Sequence, residues 1–371
     1  MTKKYFEHVG SFLRPEELKA ARRQFEAGEI SQVELTAVED RLITELVDKQ
    51  VAVGLEKVTD GEFRRGNWHI DYFWGFDGIE RIQYGEGLQF EGLETNDDSA
   101  VVTGKIGFTK ENHPFIAHYR FLKQLADARG VEAKVTIPAP AQCLAELQRG
   151  TNIEKALEFY PNPADLIVDL AAAYRESILA FYEEGARTIQ LDDCTWGAII
   201  DDAFYEKVLK GVIPKDVLRE NLLTANNAAL VDLPEDLQIN THVCRGNYQS
   251  SYATTGPYTA VAETLFGREH ATAYFLEYDT DRAGGFEPLA EFKDPNKVAV
   301  LGLITTKEGT LEDKDQIIKR IREASQIIPL EQLWLATQCG FASTEEGNIL
   351  TDEDQWKKLT LVKEVIDEVW G

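Results

Sequence analysis

Cysteine is scarce and scattered in this chain. Four occur in 371 residues, at Cys143, Cys194, Cys244 and Cys339, with no C-x-x-C pair among them. That spacing excludes a disulfide framework and a redox C-x-x-C motif, and it fits a reduced, cytosolic chain. Long apolar runs are also missing. No stretch approaches the roughly 18 residues of a membrane span, and Met1-Thr2-Lys3-Lys4-Tyr5-Phe6-Glu7 has no apolar run like a signal peptide's core. A cytoplasmic location is therefore expected. Positive charge is in short supply, with 39 Lys plus Arg against 64 Asp plus Glu and a net charge of −25. Such a surface repels phosphate backbones and anionic lipid heads, so neither nucleic acid nor a membrane is an expected partner. No linker rich in Pro, Gly or Ser divides the chain, which predicts one domain over 1–371.

The sequence does hold a recurring alternation. Short β-branched, apolar runs end in polar or acidic residues, and helical stretches separate them. Eight strands are predicted: Tyr5–Ser11, Leu55–Glu62, Ala133–Pro140, Arg187–Asp193, Leu237–Cys244, Ala273–Asp279, Lys297–Ile304 and Leu333–Gly340. Val33–Val53 and Pro163–Glu184 carry the 3.6-residue apolar spacing of helices. Eight strand–helix units predict an α/β fold, a (β/α)8 TIM barrel with a parallel sheet. An open, doubly wound sheet is the rival, but no G-x-G-x-x-G follows the first strand. Arg81–Thr109, rich in glycine around Val101, Val102 and Ile106, predicts a β-hairpin insertion between strands 2 and 3.

In a barrel, the C-terminal ends of the strands converge on one face, where active sites of this fold lie. These predicted strands end in Ser11, in Asp60 and Glu62, in Asp192 and Asp193, in His242 and Cys244, in Glu277, and in Cys339. His242 and Cys244 lie two apart on one strand, so their side chains share a face. With Glu277 and Cys339 they offer one nitrogen, two sulfurs and a carboxylate, a set that suits tetrahedral Zn²⁺. His-x-Cys alone is weak, since a buried His or Cys is more often core than ligand. The carboxylate points to a catalytic site, because an incoming thiol displaces it more easily than a thiolate.

Other polar residues carry two readings. Glu62 and Asp192 either hold a cationic substrate group or cap the next helix. Ser11 is another candidate cap, with Pro15, Glu16 and Glu17 marking a helix start. Asp60 sits one pleat deeper than Glu62, and Asp193 has the opposite parity to Asp192. Arg245 and Asn247, in the loop after the His-x-Cys strand, are candidate substrate contacts. His8 lies near the pocket, and His69 sits in an aromatic-rich loop that covers the substrate or plugs the barrel mouth. Cys194 fills space near the site, and Cys143 packs on a helix. Gly284-Gly285 marks a loop after the sixth strand.

Together the motifs resemble the catalytic C-terminal barrel of the cobalamin-independent methionine synthase family. They are Val9-Gly10-Ser11-Phe12-Leu13-Arg14-Pro15, Asp60-Gly61-Glu62-Phe63, Ile189-Gln190-Leu191-Asp192-Asp193, His242-Val243-Cys244, Glu277, Leu301-Gly302-Leu303 with Leu311-Glu312, and Gln338-Cys339-Gly340. The His242–Asn247 stretch, His-x-Cys-Arg-Gly-Asn, is similar to that of the family's short, single-barrel branch. The resemblance implies one catalytic zinc on His242, Cys244, Glu277 and Cys339. It implies homocysteine as the thiol substrate, with its carboxylate at Ser11 and its amino group at Glu62 and Asp192. Glu277 and Asp192 are the expected catalytic residues, Glu277 giving way to the substrate sulfur. The methyl donor stays open among folate, methylcobalamin, a methylated corrinoid protein and a small sulfonium. Pro138-Ala139-Pro140-Ala141-Gln142 lacks the tryptophan on which the family stacks folate. Two alternatives remain: a zinc alkyltransferase acting on another thiol, of the epoxide:coenzyme M type, and a barrel that binds zinc or a thiol without turnover.

Overall fold

The computed structural model describes residues 5–88, 90, 92–209 and 213–371. Its strands are β1 (Lys57–Val58), β2 (Asp77–Gln83), β3 (Asp98–Gly107), β4 (Glu132–Pro138), β5 (Thr188–Asp193), β6 (Gln238–Val243), β7 (Ala273–Glu277), β8 (Val298–Ile304) and β9 (Leu333–Thr337). Seven of them form one parallel sheet in the order β1-β4-β5-β6-β7-β8-β9. Chain neighbours thus pair in space, with helices in the crossovers, as a TIM-barrel-like α/β fold requires. Helices Gln32–Val53 and Pro163–Glu183 fall where the apolar spacing places them. Ser31 and Glu34 close a capping box on the first, and Gly54, at φ 100°, ends it. No helix among the described residues is long and apolar enough to cross a membrane.

β2 and β3 pair antiparallel between β1 and β4, which is the predicted hairpin insertion. It starts at Asp77, ahead of the predicted Arg81, and positions 89 and 91 lie outside the described residues.

Two predicted strands need correction. Tyr5–Ser11 is not a ladder strand. Its described part makes one parallel bridge, Phe6 to Leu335, with the Glu7 N–H donating to Leu335 O at 3.2 Å. Side chains take the carbonyls that a ladder would use. Lys134 Nζ donates to His8 O, Gln190 Nε2 to Val9 O, and Thr59 Oγ1 to Gly10 O. Leu55–Glu62 shortens to Lys57–Val58, because the chain turns at Gly61 and Glu62, both at positive φ.

Alternation along the strands separates two cores. One parity of β7, β8 and β9 gives a small cluster of Ala273, Phe275, Val298, Val300 and Ala336 with Val9. The other parity, with Tyr274, Leu276, Leu301 and Leu335, joins the large core that also contains the helix residues. On β4 and β5, the residues that reach the first segment are polar: Lys134 and Gln190. Lys134 is fully buried, 3.1 Å from Glu7 Oε2 and 3.3 Å from Gln190 Oε1, while Lys57 lies 3.0 Å from Glu7 Oε1. Burial works to raise the Glu7 carboxyl, but Lys134 and Lys57 outweigh it and hold it at about 2.

The first segment is thus tied into the sheet by buried charge. Lys134→Met leaves Glu7 half-paired in a dry site and is expected to cost about 3 kcal/mol, visible in urea unfolding at neutral pH. Because the Glu7 carboxyl is depressed in the fold, this stabilisation is present above pH 4.5 and is lost as pH falls towards 2. An unchanged urea midpoint in the variant would contradict this role.

Candidate metal centre and substrate cleft

Parallel registers explain how distant residues meet. Asp192 on β5 pairs with His242 on β6, and Glu277 on β7 pairs with Gly302 on β8. Cys244 lies one residue past β6 and Cys339 two past β9. A Cβ on Gly302 would stand 2.6 Å from the Cα of Gln338, so only glycine lets β8 approach the chain beside Cys339 this closely. Gly340 serves likewise, since a Cβ there would lie 1.9 Å from Ser11 Oγ.

His242, Cys244, Glu277 and Cys339 are all buried, and their ligand atoms lie within 4.8 Å of one another. The two sulfurs are 4.0 Å apart. Sulfurs about 2.3 Å from one tetrahedral zinc stand about 3.8 Å apart, so the spacing fits two thiolates on a single ion. It is far beyond the length of a disulfide bond. The donor set therefore fits a metal. His242 Nδ1 lies 3.0 Å from Asp192 Oδ1, and Gln190 Nε2 donates to the same oxygen at 2.8 Å. An imidazole held by a carboxylate in this way has its ring orientation fixed for a ligand role at the other nitrogen.

The electrostatics are those of crowded negative charge. Burial works to lower the His242 imidazolium, but the Asp192 hydrogen bond and the charges of Cys244, Asp192 and Glu277 prevail and lift it to about 9. Burial and Cys244 push the Glu277 carboxyl to about 7, against the opposing pull of Lys307 and Arg282. Both Glu277 oxygens are occupied by donors: the Arg245 backbone N–H reaches Oε1 at 2.7 Å, and Arg282 Nη2 reaches Oε2 at 3.2 Å.

His242, Cys244 and Cys339 of this cluster line a cleft that is continuous with solvent. Ser11, Glu62, Asp192, Cys194 and Asn247 line it beside the ligands. Trp68, His69 and the hairpin residues Leu88, Phe90, Thr95, Asn96 and Asp98 form its outer wall. Glu62 arrives on the Gly61–Glu62 turn, with φ 61°, where Asp60 Oδ1 accepts its N–H at 2.9 Å. Asp60 and Glu62 are therefore not related by a strand pleat; a turn sets their geometry. Glu62 Oε1 accepts from Thr136 Oγ1 at 2.9 Å, while Oε2 is buried without a partner.

The remaining candidates separate cleanly. Ser11 caps no helix; its Oγ accepts the Ala342 N–H at 3.3 Å. Asn247 uses its amide to join loops, donating to Gly340 O at 2.9 Å and accepting from Lys307 and Asn348. Arg245 does not present its guanidinium to the cleft. It packs over the Tyr258 ring at 4.1 Å and donates to Gly256 O, so the expected substrate contact is replaced by its backbone N–H on Glu277. Asp193 turns to Thr195 and Asn226. His8 lies outside the cleft, with Nε2 3.3 Å from Lys57 O. Cys143 is buried on helix Pro140–Leu147. Sequence reasoning missed Arg282, Lys307, Thr136 and Asn348. It also missed Asp192 as the partner of His242, although the shared parity of adjacent strands carried that signal.

Imidazole, paired thiols and a carboxylate at the strand ends of a TIM-barrel-like parallel sheet define a class of metal-capable α/β folds. The chain belongs to the cobalamin-independent synthase family, whose catalytic-domain model matches residues 7–353. It is 42% identical to YxjH of Bacillus subtilis over 98% of this chain and 94% of that one. It is 24% identical to a methionine synthase of Saccharolobus solfataricus over 90% of this chain and 86% of that one. A Listeria monocytogenes crystal structure, described as a candidate vitamin-B12 independent methionine synthase, superposes with a TM-score of 0.76 at 38% identity, covering 99% of this chain and 98% of that one.

Metal uptake by the apoprotein must displace the His242 proton, because only neutral imidazole is a ligand. With the His242 proton held by Asp192 and the Cys339 thiol raised by its hydrogen bond with Cys244 and by burial, zinc affinity measured by chelator competition is expected to rise steadily with pH across the neutral range. Asp192→Asn is expected to weaken zinc about 10- to 100-fold at neutral pH. A pH-independent affinity, or full affinity in the variant, would contradict the Asp192–His242 coupling.

Proposed function

We propose that this chain is a zinc-dependent methyltransferase that acts as one (β/α)8 barrel and methylates the thiol of homocysteine to give methionine. The observation that carries this reading is the buried His242–Cys244–Glu277–Cys339 cluster, three of whose residues, His242, Cys244 and Cys339, line a solvent-connected cleft. Those four residues would hold the ion. Zn²⁺ there supplies positive charge that keeps a bound thiol deprotonated near neutral pH, where a free thiol with pKa near 8.5 is mostly protonated.

The chain's own residues do the rest. Of the four residues that would hold the ion, Glu277 is the one that could yield to a substrate sulfur, since both its oxygens already have donors apart from any metal. Glu62, with one buried oxygen free, and Asp192 receive the substrate ammonium. Ser11 lies beside Cys339 and Gly340 in the same cleft and takes the carboxylate end. Glu62 and Asp192, beside the metal-capable residues, favour an amino-acid thiol over a sulfonate-bearing one, which they would repel. Trp68 and His69, with ring centroids 4.6 Å apart, wall the side from which a methyl donor enters.

The test is a donor screen with homocysteine, supplying methyltetrahydropteroyltriglutamate, methylcobalamin or a methyl sulfonium, with methionine as readout. One donor is expected to give methionine, and chelation of the metal is expected to abolish its formation. Glu62→Gln is expected to raise the KM for homocysteine about tenfold or more through the lost charge-assisted contact. No methionine from any donor, or full turnover after metal removal, would contradict the proposal.

A further inference from the structure

Glu277 has a neighbour that the ligand set does not require. Arg282 sits in the single turn Asp281–Ala283 just after β7. Its Nη2 lies 3.2 Å from Glu277 Oε2 and 3.2 Å from Asp279 Oδ1. The guanidinium packs on the Tyr252 ring, 4.6 Å from its centroid, and the side chain is 9% exposed. The Arg282 backbone is pinned as well, because its carbonyl accepts the Gly256 N–H at 3.0 Å. This cation is therefore held rigidly against a carboxylate that also serves as a candidate metal ligand.

We propose that Arg282 is a positioning residue that keeps Glu277 compensated after a substrate thiol has taken its place. The proposal rests on the reading that Glu277 yields to homocysteine. A carboxylate released into a dry site without a partner carries a large desolvation penalty. For Glu277, which is fully buried, that penalty is reduced by contacts that do not involve a metal: the Arg245 N–H at one oxygen and Arg282 at the other. The thiol proton passes to solvent, and the carboxylate stays in the pair. Asp279, which shares Arg282, leaves the guanidinium already oriented towards this side of the site. Arg282 thus favours the thiol-bound state without donating to substrate.

Its signature is a split between two affinities. In Arg282→Gln, zinc affinity by chelator competition is expected to stay within about threefold of the wild type, while the homocysteine dissociation constant of the zinc-loaded protein rises about tenfold or more. Arg282→Lys, which keeps the charge, is expected to recover most of that loss. In a Glu277→Gln background, Arg282→Gln is expected to have no further effect on homocysteine binding. Homocysteine bound as tightly by Arg282→Gln as by the wild type would overturn the proposal. So would parallel loss of zinc and thiol in both variants, which marks a merely structural residue. A wild-type protein that holds zinc but no homocysteine would instead overturn the functional reading on which this one rests.

Discussion

Two thiols, an imidazole and a carboxylate occupy a buried space in which their ligand atoms lie within 4.8 Å of one another. Much of the surrounding structure answers that concentration of negative charge. Burial is outweighed at His242 by the Asp192 hydrogen bond and the charges of Cys244 and Glu277, which raise the imidazolium to about 9, and burial with Cys244 pushes the Glu277 carboxyl to about 7. Arg282 holds one Glu277 oxygen, and Lys307 adds positive charge that favours the ionised forms of Glu277 and Cys339. A divalent ion relieves the same repulsion more completely, which is why such a cluster reads as a metal centre and not as a packed core.

Backbone geometry makes the cluster possible. Parallel strands in sequential order bring the ends of β6, β7 and β9 to one face; Gly302 lets β8 lie close to β7 and to the chain after β9, and Gly340 lets that chain lie against Ser11 of the first segment. Lys307, Asn247, Asn348 and Thr306 then tie the loops after β6, β8 and β9 together. Asn247 donates to Gly340 O, Thr306 Oγ1 donates to the same carbonyl, and Asn348 Nδ2 donates to Thr306 O. The spacing of Cys244 and Cys339 is thereby set by a polar network as well as by the sheet. The opposite end of the architecture is held differently: Glu7, Lys57 and Lys134 fasten the first segment where a regular strand would have used its backbone.

Strand and helix alternation was legible because apolar periodicity survives in a single sequence, and it placed β4 to β9 to within a few residues. The first strand was not legible as irregular, because its side chains read as a strand while its carbonyls are bonded by Lys134, Gln190 and Thr59 from far along the chain. The four ligand candidates were legible from their places at strand ends. Glu62 lines the cleft, but a left-handed turn and not the expected pleat directs it there. Arg245 misled because a charged residue in a functional loop invites a substrate role, whereas tertiary packing sends its guanidinium onto Tyr258. Arg282 and Lys307 gave no local signal, as nothing in their neighbourhoods marks the distant carboxylate or loop that each one meets.

The central claim is that one ion, gripped by His242, Cys244, Glu277 and Cys339, accepts a substrate thiol as Glu277 yields. The most direct measurement is a homocysteine titration of the cobalt-substituted protein, followed by the thiolate-to-metal charge-transfer absorption. The account predicts a band already present from the two cysteines that grows on adding homocysteine and saturates at one thiol per chain, with no such growth for thiols lacking an amino group. A spectrum that shows cysteine ligation and stays unchanged at saturating homocysteine would contradict it.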